Sequence, residues 1–441
     1  MMVIMKTVRV ALFGLGVIGT GVAKILLNHA DRISQATGQT IELARICDRD
    51  LKTERDVTLP GGIMTDSAES VIADPSISLA IELIGGIEPA RTFVLQLLEN
   101  GKDVITANKA LLAQHGAELF DAARKHGRTI AFEASVCGGI PILNSLSTAL
   151  QANTLQSINA IVNGTSNYIL SQMENGKISY GDAVAQAQSL GYAEANPAMD
   201  VDGTDAVQKL TILAQLGFGV VVDWRDIPRI GIESVDALDF RYAKELGYRI
   251  KLLAVAVQSE QGLELHVSPT LVKINNPLAR VRDAFNAVQI VGDSVGPVYF
   301  QGLGAGQLPT ASAVVGDLID TVLGRTAITF NSLNLWPSGR PALPVKSPLD
   351  FFGKSYLRLD VADRPGVMQE ISGILGKHHI SIASMIQHEP DQRNSSPHGN
   401  DAAVLFLTTH EIREGDLVQA IQQLEQSPVV VGPIVRMRVQ N

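Results

Sequence analysis

The segment VRVALFGLGVIGTGV, residues 8–22, limits the fold more than any other part of the chain. Apolar and β-branched residues come first and read as a strand. Gly14-Leu15-Gly16-Val17-Ile18-Gly19 follows, and then a helical pattern begins. GxGxxG alone is a weak signal, but between a strand and a helix it sits in the context its chemistry requires. Glycines allow a tight turn and close approach of backbone to a pyrophosphate. The helix start adds free N–H groups and the positive end of a dipole. We expect Gly14, Leu15, Gly16, Val17, Ile18 and Gly19 to contact a dinucleotide. The alternative is a glycine-rich turn with no ligand.

The same segment opens an alternation. VRVALFG, IELARIC, SLAIELIGG, KDVITANK and TIAFEAS read as strands. TGVAKILLNHA and ALLAQHGAELFDAARKHG read as helices between them. That order predicts a parallel sheet with helices on both faces. Ligands bind such sheets outside the carboxyl ends of the strands. Ile84-Gly85-Gly86 and Thr106-Ala107-Asn108-Lys109 lie there, and Lys109, placed just after a strand, is expected to point into the crevice; otherwise it is a surface lysine. The second strand ends at Cys47-Asp48-Arg49-Asp50. An acid there would bond a ribose 2′-hydroxyl, and an arginine a 2′-phosphate. Both are present, and Arg49, with Arg45 or Lys52 nearby, favours NADP over NAD.

At 441 residues the chain needs two or three domains, and 46% apolar residues can build their cores. A net charge of −9 leaves no basic surplus for nucleic acid. Cys47 and Cys137 give no disulfide framework, as in a reducing compartment. No run of eighteen apolar residues suggests a membrane span, and MMVIMK is too short for a signal peptide. The expectation is a soluble cytoplasmic protein, in which the glycosylation pattern Asn163-Gly164-Thr165 is chance.

The fold class expected is α/β: a Rossmann-type parallel-sheet domain over 1–137, completed by the helix and glycine turn of 302–325; an α+β catalytic and dimerisation domain over 138–301; a proline-containing linker over 326–354; and a ferredoxin-like domain over 355–441. In the last, SYLRLDVAD, RPGVMQEISGILGKHH, ISIASMIQHEP, AAVLFLTTH, residues 413–425 and VVVGPIVRMRV give βαββαβ. DQRNSSPHGN between two of the strands is a polar, mobile loop.

GYAEANPAMDVDGTDAVQK, residues 191–209, puts Glu194, Asp200, Asp202, Asp205 and Lys209 directly before the apolar run LTILAQLGFGVVV. A helix opened by Gly203 and closed by Gly217, with an acid as N-cap, follows from the pattern. At 100° per residue, Gln208, Thr211 and Gln215 share one polar, solvent-like face. Asp205 and Lys209 fall inside the apolar arc, one turn apart, where charge is costly unless paired. The pair then lines a pocket. Lys209 acts as general acid or base, and Asp205 orients it. Glu194 and Asp200, in the loop before, could close over that pocket and hold a cationic group such as a substrate ammonium. Asp202 is a cap. A structural ion pair and a divalent metal on these carboxylates are the alternatives; zinc is disfavoured without His or Cys nearby. A nicotinamide site with a positioned lysine suits hydride transfer at an alcohol or carbonyl, and the carboxylates suit an amino-bearing substrate. The rivals are a dehydrogenase of another amino-alcohol and a non-catalytic dinucleotide and amino-acid sensor.

GYAEANPAMDVDGTDAVQK resembles the signature of the homoserine dehydrogenases. FGLGVIGTGV, IELIGG, VITANKALL, FEASVCGGIPI, NGTSNYIL and GLGAGQLPTASAVVGD match that family's pattern in order, and DRPGV resembles the start of an ACT domain. The resemblance covers nearly the whole chain. It implies NAD(P)-dependent interconversion of L-homoserine and L-aspartate 4-semialdehyde, in threonine, methionine and isoleucine biosynthesis. Carried onto this chain, Lys209 is the proton donor and acceptor and Asp205 its orienter. Glu194, Asp200, Thr165 and Tyr192 contact substrate. Lys109 sits between cofactor and substrate, and Thr106, Arg49 and Gly306 join the cofactor positions. FEASVCGGI resembles a monovalent-cation loop in which Glu133 and the carbonyls of Val136, Gly138 and Ile140 bind sodium or potassium. Spacing alone reads that loop as an ordinary strand-to-helix turn. The ACT resemblance implies feedback by threonine near Gly366, in a homodimer or homotetramer.

Overall fold

The computed structural model describes residues 6–176, 178–336, 343–387 and 402–440. The loop read at 391–400 as mobile, and 337–342 of the expected linker, lie outside the described residues. The chain divides into two compact units. The first holds 1–156, 208–226 and 286–343; the second holds 157–207, 227–285 and 344–441. Among the described residues no helix is long and apolar enough to cross a membrane.

In the first unit β1 (Thr7–Phe13), β2 (Thr40–Cys47), β3 (Met64–Thr65), β4 (Leu79–Glu82), β5 (Asp103–Thr106) and β6 (Ile130–Ala131) form one sheet, ordered β3-β2-β1-β4-β5-β6. Every pairing in it is parallel. That is the Rossmann order, with its crevice where the order reverses between β1 and β4. Val10, Leu12, Ile46 and Ile81 are sealed in its core with Val22 and Leu26 of the helix Val17–Asn28. Ala311, Val314 and Leu318 of the helix Gln307–Val322 close the same core.

Three local readings change. The helix after the glycine turn stops at Asn28, and a second one, Ala30–Thr37, follows and ends on Gly38 at φ +67°. TIAFEAS is a strand only at Ile130–Ala131; Glu133–Ser135 is a 3-10 turn. The Glu133 backbone N–H donates to Asp317 there instead of to a neighbouring strand. Residues 326–333 of the stretch read as linker belong to the helix Arg325–Leu333.

The second unit carries most of β7 (Leu155–Ile161), with β8 (Tyr248–Ser259) and β9 (Gly262–Lys273) as antiparallel neighbours. The strands β10 (Phe285–Gly292) and β11 (Gly296–Leu303) form a hairpin, counted almost wholly with the first unit. Then β12 (Phe352–Ala362), β13 (Ile382–Gln387), β14 (Ala402–Thr409), β15 (Ile412–Arg413) and β16 (Val435–Gln440) follow. The strands β16-β12-β14-β13 make the ferredoxin-like sheet, backed by the helices Val367–Lys377 and Glu414–Glu425. Leu357, Leu359, Ile371, Leu405 and Leu417 are its core.

That sheet does not end at β16. β16 pairs in parallel with β9, Arg438 opposite Thr270 and Gln440 opposite Val272. A buried polar knot adds to the ladder. Asp239, on the helix Ala237–Glu245, is 0% exposed and accepts from Tyr356 Oη at 2.7 Å and Arg358 Nε at 2.9 Å. Burial pushes the Asp239 carboxyl up while Arg358 pulls it down. The ring of Tyr242, one turn further along that helix, stacks on Phe406 of β14.

Candidate active site

The first unit holds the glycine turn. Gly14 lies at φ +94°, and a Cβ there would sit 2.7 Å from the Leu83 carbonyl oxygen. A Cβ at Gly19 would come within 2.0 Å of the Gly14 oxygen. Both glycines are therefore required by the fold itself. Gly16 differs, because a Cβ there would meet no protein atom within 4 Å. Its φ of −72° needs no glycine either, so the open space beside it is what a closely bound pyrophosphate would use. No side chain caps the helix start at Gly16, so its first N–H groups take no side-chain partner there.

Leu15 between them is held from both sides. Its N–H donates to Asp48 Oδ2 at 2.5 Å, and its carbonyl accepts from Arg55 Nε at 3.0 Å. The other Asp48 oxygen accepts from the Asp50 N–H at 2.8 Å. Arg49 is exposed.

At the ends of β4 and β5, Glu82 was not picked out from sequence. It is fully buried and accepts from Thr106 Oγ1 at 2.7 Å and from the N–H groups of Ile84 and Gly85. Burial pushes its carboxyl up, against the hydrogen bond from Thr106. Asn108 caps the next helix through the Leu111 N–H and donates to the Gly86 carbonyl at 2.7 Å. Both strand ends are thus tied together. Lys109 is half-buried and is the first residue of the helix Lys109–Lys125, not a residue of a loop.

Glu133 accepts from the N–H groups of Leu143 at 2.9 Å and Asn144 at 2.6 Å. Burial pushes its carboxyl up to about 7. Val136 and Ile140 are buried, Cys137 sits at φ +52°, and the Ile140 carbonyl accepts from the Ile142 N–H at 2.7 Å. Gly306, at φ +122°, stands before the helix Gln307–Val322.

The charged knot is built on the helix Thr204–Phe218. Asp202 accepts from the Thr204 N–H at 2.7 Å, the cap expected of it. Asp205 is 4% exposed, while Lys209, one turn on, is half-buried. The polar face is not a solvent face, because Gln208, Thr211 and Gln215 are 4%, 2% and 2% exposed. Gln215 shows how this is tolerated. With its amide turned to suit its neighbours, it donates to the Val220 carbonyl and accepts from the Trp336 N–H. Buried amides need such partners, and a helical wheel cannot separate them from a solvated face.

In the second unit one side chain gathers the acids. Asn163 Nδ2 donates to Asp200 Oδ1 and to Asp205 Oδ2, both at 2.8 Å. Asp200 lies in the short helix Ala198–Val201 rather than a loop, and its carbonyl accepts from Ser166 Oγ at 2.7 Å. Thr165 Oγ1 donates to the Tyr192 carbonyl at 2.7 Å, and the Tyr192 ring lies 4.8 Å from that of Tyr168. Glu194 is exposed on the preceding segment, whose carbonyls at 194 and 195 accept from Gln188. Among the described residues no group of three or more His, Cys, Asp or Glu could hold a metal, so the divalent-metal alternative for this knot finds no site. From sequence Asn163 stood only within the glycosylation pattern and the NGTSNYIL match, with no role of its own; the usable signal was an Asn directly before a helix.

The helix Gly164–Gly176 is fixed from below by Lys251 of β8, which is 1% exposed. Its Nζ donates to Asn167 Oδ1 at 3.1 Å and to the Val281 carbonyl. Burial lowers its ammonium from 10.5 to about 8. A depressed folded value means the contribution is present above the unfolded value and lost as pH falls through the folded one. Stability should therefore rise between about pH 8 and 10.5, by about 3 kcal/mol at ~1.4 kcal/mol per unit. Urea denaturation across that window should lose this slope in Lys251→Met; an unchanged slope would place the titration elsewhere.

The chain matches the homoserine dehydrogenase family model over 141–319, the homoserine dehydrogenase NAD-binding-domain model over 14–133 and the ACT-domain model over 355–428. It is 40% identical to homoserine dehydrogenase of Pseudomonas aeruginosa, over 99% of this chain and 100% of that one. A homoserine dehydrogenase structure from Thiobacillus denitrificans superposes with a TM-score of 0.91 at 40% identity, over 99% of both chains. A hyperthermophilic archaeal homoserine dehydrogenase solved in complex with NADPH superposes with a TM-score of 0.61 at 27% identity, over 72% of this chain and 98% of that one. With the Rossmann strand order, the glycine turn and the signature helix all in place, the chain belongs to the homoserine dehydrogenase family, in the form that carries a C-terminal ACT domain.

Proposed function

We propose that this chain interconverts L-homoserine and L-aspartate 4-semialdehyde, in the biosynthesis of threonine, methionine and isoleucine, with Lys209 as general acid and base. The observation that carries the reading is the placing of Asp205 and Lys209 one turn apart on a helix whose other side chains are buried. In the oxidation, Lys209 Nζ takes the proton of the substrate hydroxyl, and in the reduction it returns it. Asp205 orients Lys209. Asp200 and Glu194 bind the substrate ammonium, with Thr165 and Tyr192 shaping the same region. Lys109 stands between substrate and cofactor. The bound nicotinamide dinucleotide supplies the hydride acceptor or donor.

Gly14 to Gly19, Thr106 and Gly306 would hold that dinucleotide, and the empty space over Gly16 supports the fit. NADP is the cofactor we infer. Asp48 is turned to the backbone of the glycine turn, which supports exposed Arg49 as the charge that would meet a 2′-phosphate. The archaeal relative holds NADPH. Glu133 and the carbonyls of Val136, Gly138 and Ile140 would form an all-oxygen donor set suited to sodium or potassium, and a cation there would offset the Glu133 carboxylate. Threonine is the effector we assign to the ACT domain near Gly366, which caps the helix Val367–Lys377 at φ +94° with no side-chain partner. The working form is a cytoplasmic homodimer or homotetramer.

The test is NAD(P)H formation with L-homoserine, with and without threonine. Arg49→Ala should raise KM for NADP by about 10-fold or more, the scale of one lost charge-assisted contact, and leave KM for NAD unmoved. Absence of turnover with either cofactor would sink the function; equal effects on both would sink the cofactor assignment.

A further inference from the structure

We propose that Asn163 is a positioning residue that sets the geometry of the two acids Asp200 and Asp205, and through Asp205 that of Lys209. The inference rests on the roles just proposed for those acids. Asn163 is 5% exposed and stands at the end of β7, directly before the helix Gly164–Gly176. Its carboxamide is fully committed. Oδ1 accepts from the Ser166 N–H at 2.7 Å, as a helix cap does. The two hydrogens of Nδ2 go one to each acid. This pattern decides the amide orientation, which distance alone would leave open. Turned over, the oxygen would face two carboxylates and the nitrogen an N–H donor, and all three bonds would be lost.

The chemistry explains why an amide stands here. Two carboxylates drawn to one place repel each other, and a shared neutral donor with two hydrogens holds both without adding charge. Aspartate in that position would place a third anion against two. Serine could cap the helix but has one hydrogen for two acceptors. Lysine could serve both acids but would leave the Ser166 N–H uncapped. Asparagine is the side chain that caps and bridges together. The helix end and the acid pair are therefore fixed by the same three atoms, and Ser166, whose hydroxyl bonds the Asp200 carbonyl, braces the second acid from behind.

The decisive variant is Asn163→Asp, nearly isosteric and still able to cap through its remaining oxygen. We expect kcat/KM for homoserine to fall by about 10- to 100-fold, the scale of one charge-assisted hydrogen bond. The loss should shrink as pH is lowered, because a protonated carboxyl returns one donor. Asn163→Ser, which keeps the cap at any pH, should show a smaller loss with no such recovery. Melting temperature is followed in both, since a purely structural role would lower it without moving the pH profile. Wild-type kcat/KM and pH profile in folded Asn163→Asp would overturn the proposal. Should that variant not fold, wild-type kcat/KM in Asn163→Ser would overturn it. Asp200→Asn and Asp205→Asn separate the two levels. If they turn over normally, the roles of the acids fail; if they are impaired while Asn163→Asp is not, the positioning role alone fails.

Discussion

Lys209→Ala is expected to lower kcat by about 10²–10⁴, the range for losing a positioned general acid and base, while dinucleotide affinity changes by no more than about twofold. The reasoning lies in the helix Thr204–Phe218. Asp205, Gln208, Thr211 and Gln215 are all buried on it, and Lys209 alone of its charged and amide side chains is half-exposed. Its neighbours on either side, Gln208 and Leu210, are sealed in protein. Alanine keeps the helix, since its propensity is the best of any residue, so the fold should survive. What would disappear is the group proposed to take the proton from the substrate oxygen. Steady-state rates with homoserine, together with cofactor binding by fluorescence titration, read both halves of the expectation. Turnover within about threefold of wild type would remove Lys209 from the chemistry.

Asp239→Ala should cost about 3–5 kcal/mol of stability, the range for breaking a buried pair by removing one partner. Asp239 carries three duties at once. It closes the capping box of its own helix through the Asp236 N–H, and it receives Tyr356 and Arg358 of β12. Its removal leaves Arg358, only 11% exposed along its side chain, without its counter-charge. Equilibrium denaturation measures the loss. Asp239→Leu with Arg358→Leu should cost less than Asp239→Ala alone, because removing both charges leaves neither stranded. A cost under about 1 kcal/mol for the single variant would show that the pair is not a stabilising contact of the native state.

Periodicity was enough wherever burial is one-sided or total. IELARIC became β2 almost residue for residue, and the βαββαβ order of the C-terminal domain was legible because its apolar strand runs are separated by two amphipathic helices. It misled at Glu133, where a carboxylate holding two backbone N–H groups replaced a strand. It misled again at Gln208, Thr211 and Gln215, since polarity in a sequence does not say whether the partner is water or protein. Asp205 was legible as a charge in an apolar arc, and Asp200 and Glu194 only as acids in the segment before it. Asn163 and Glu82 were not. Their importance comes from bonds made across 37 to 42 residues in one case and 24 in the other, and no local pattern encodes those.

The pairing of β16 with β9 also has a cost in time. Thr270 meets Arg438, so the edge of β9 at Thr270–Val272 is left open until residues 438–440 have been made, although Val267 is already paired with Pro228 and Ile230. At roughly 5–20 residues per second that is on the order of 10–30 s of synthesis. Through that interval the nascent chain carries an unpaired strand edge, which other chains could join. Any slowing of translation between residues 273 and 438 therefore lengthens the exposure of that edge to misassembly.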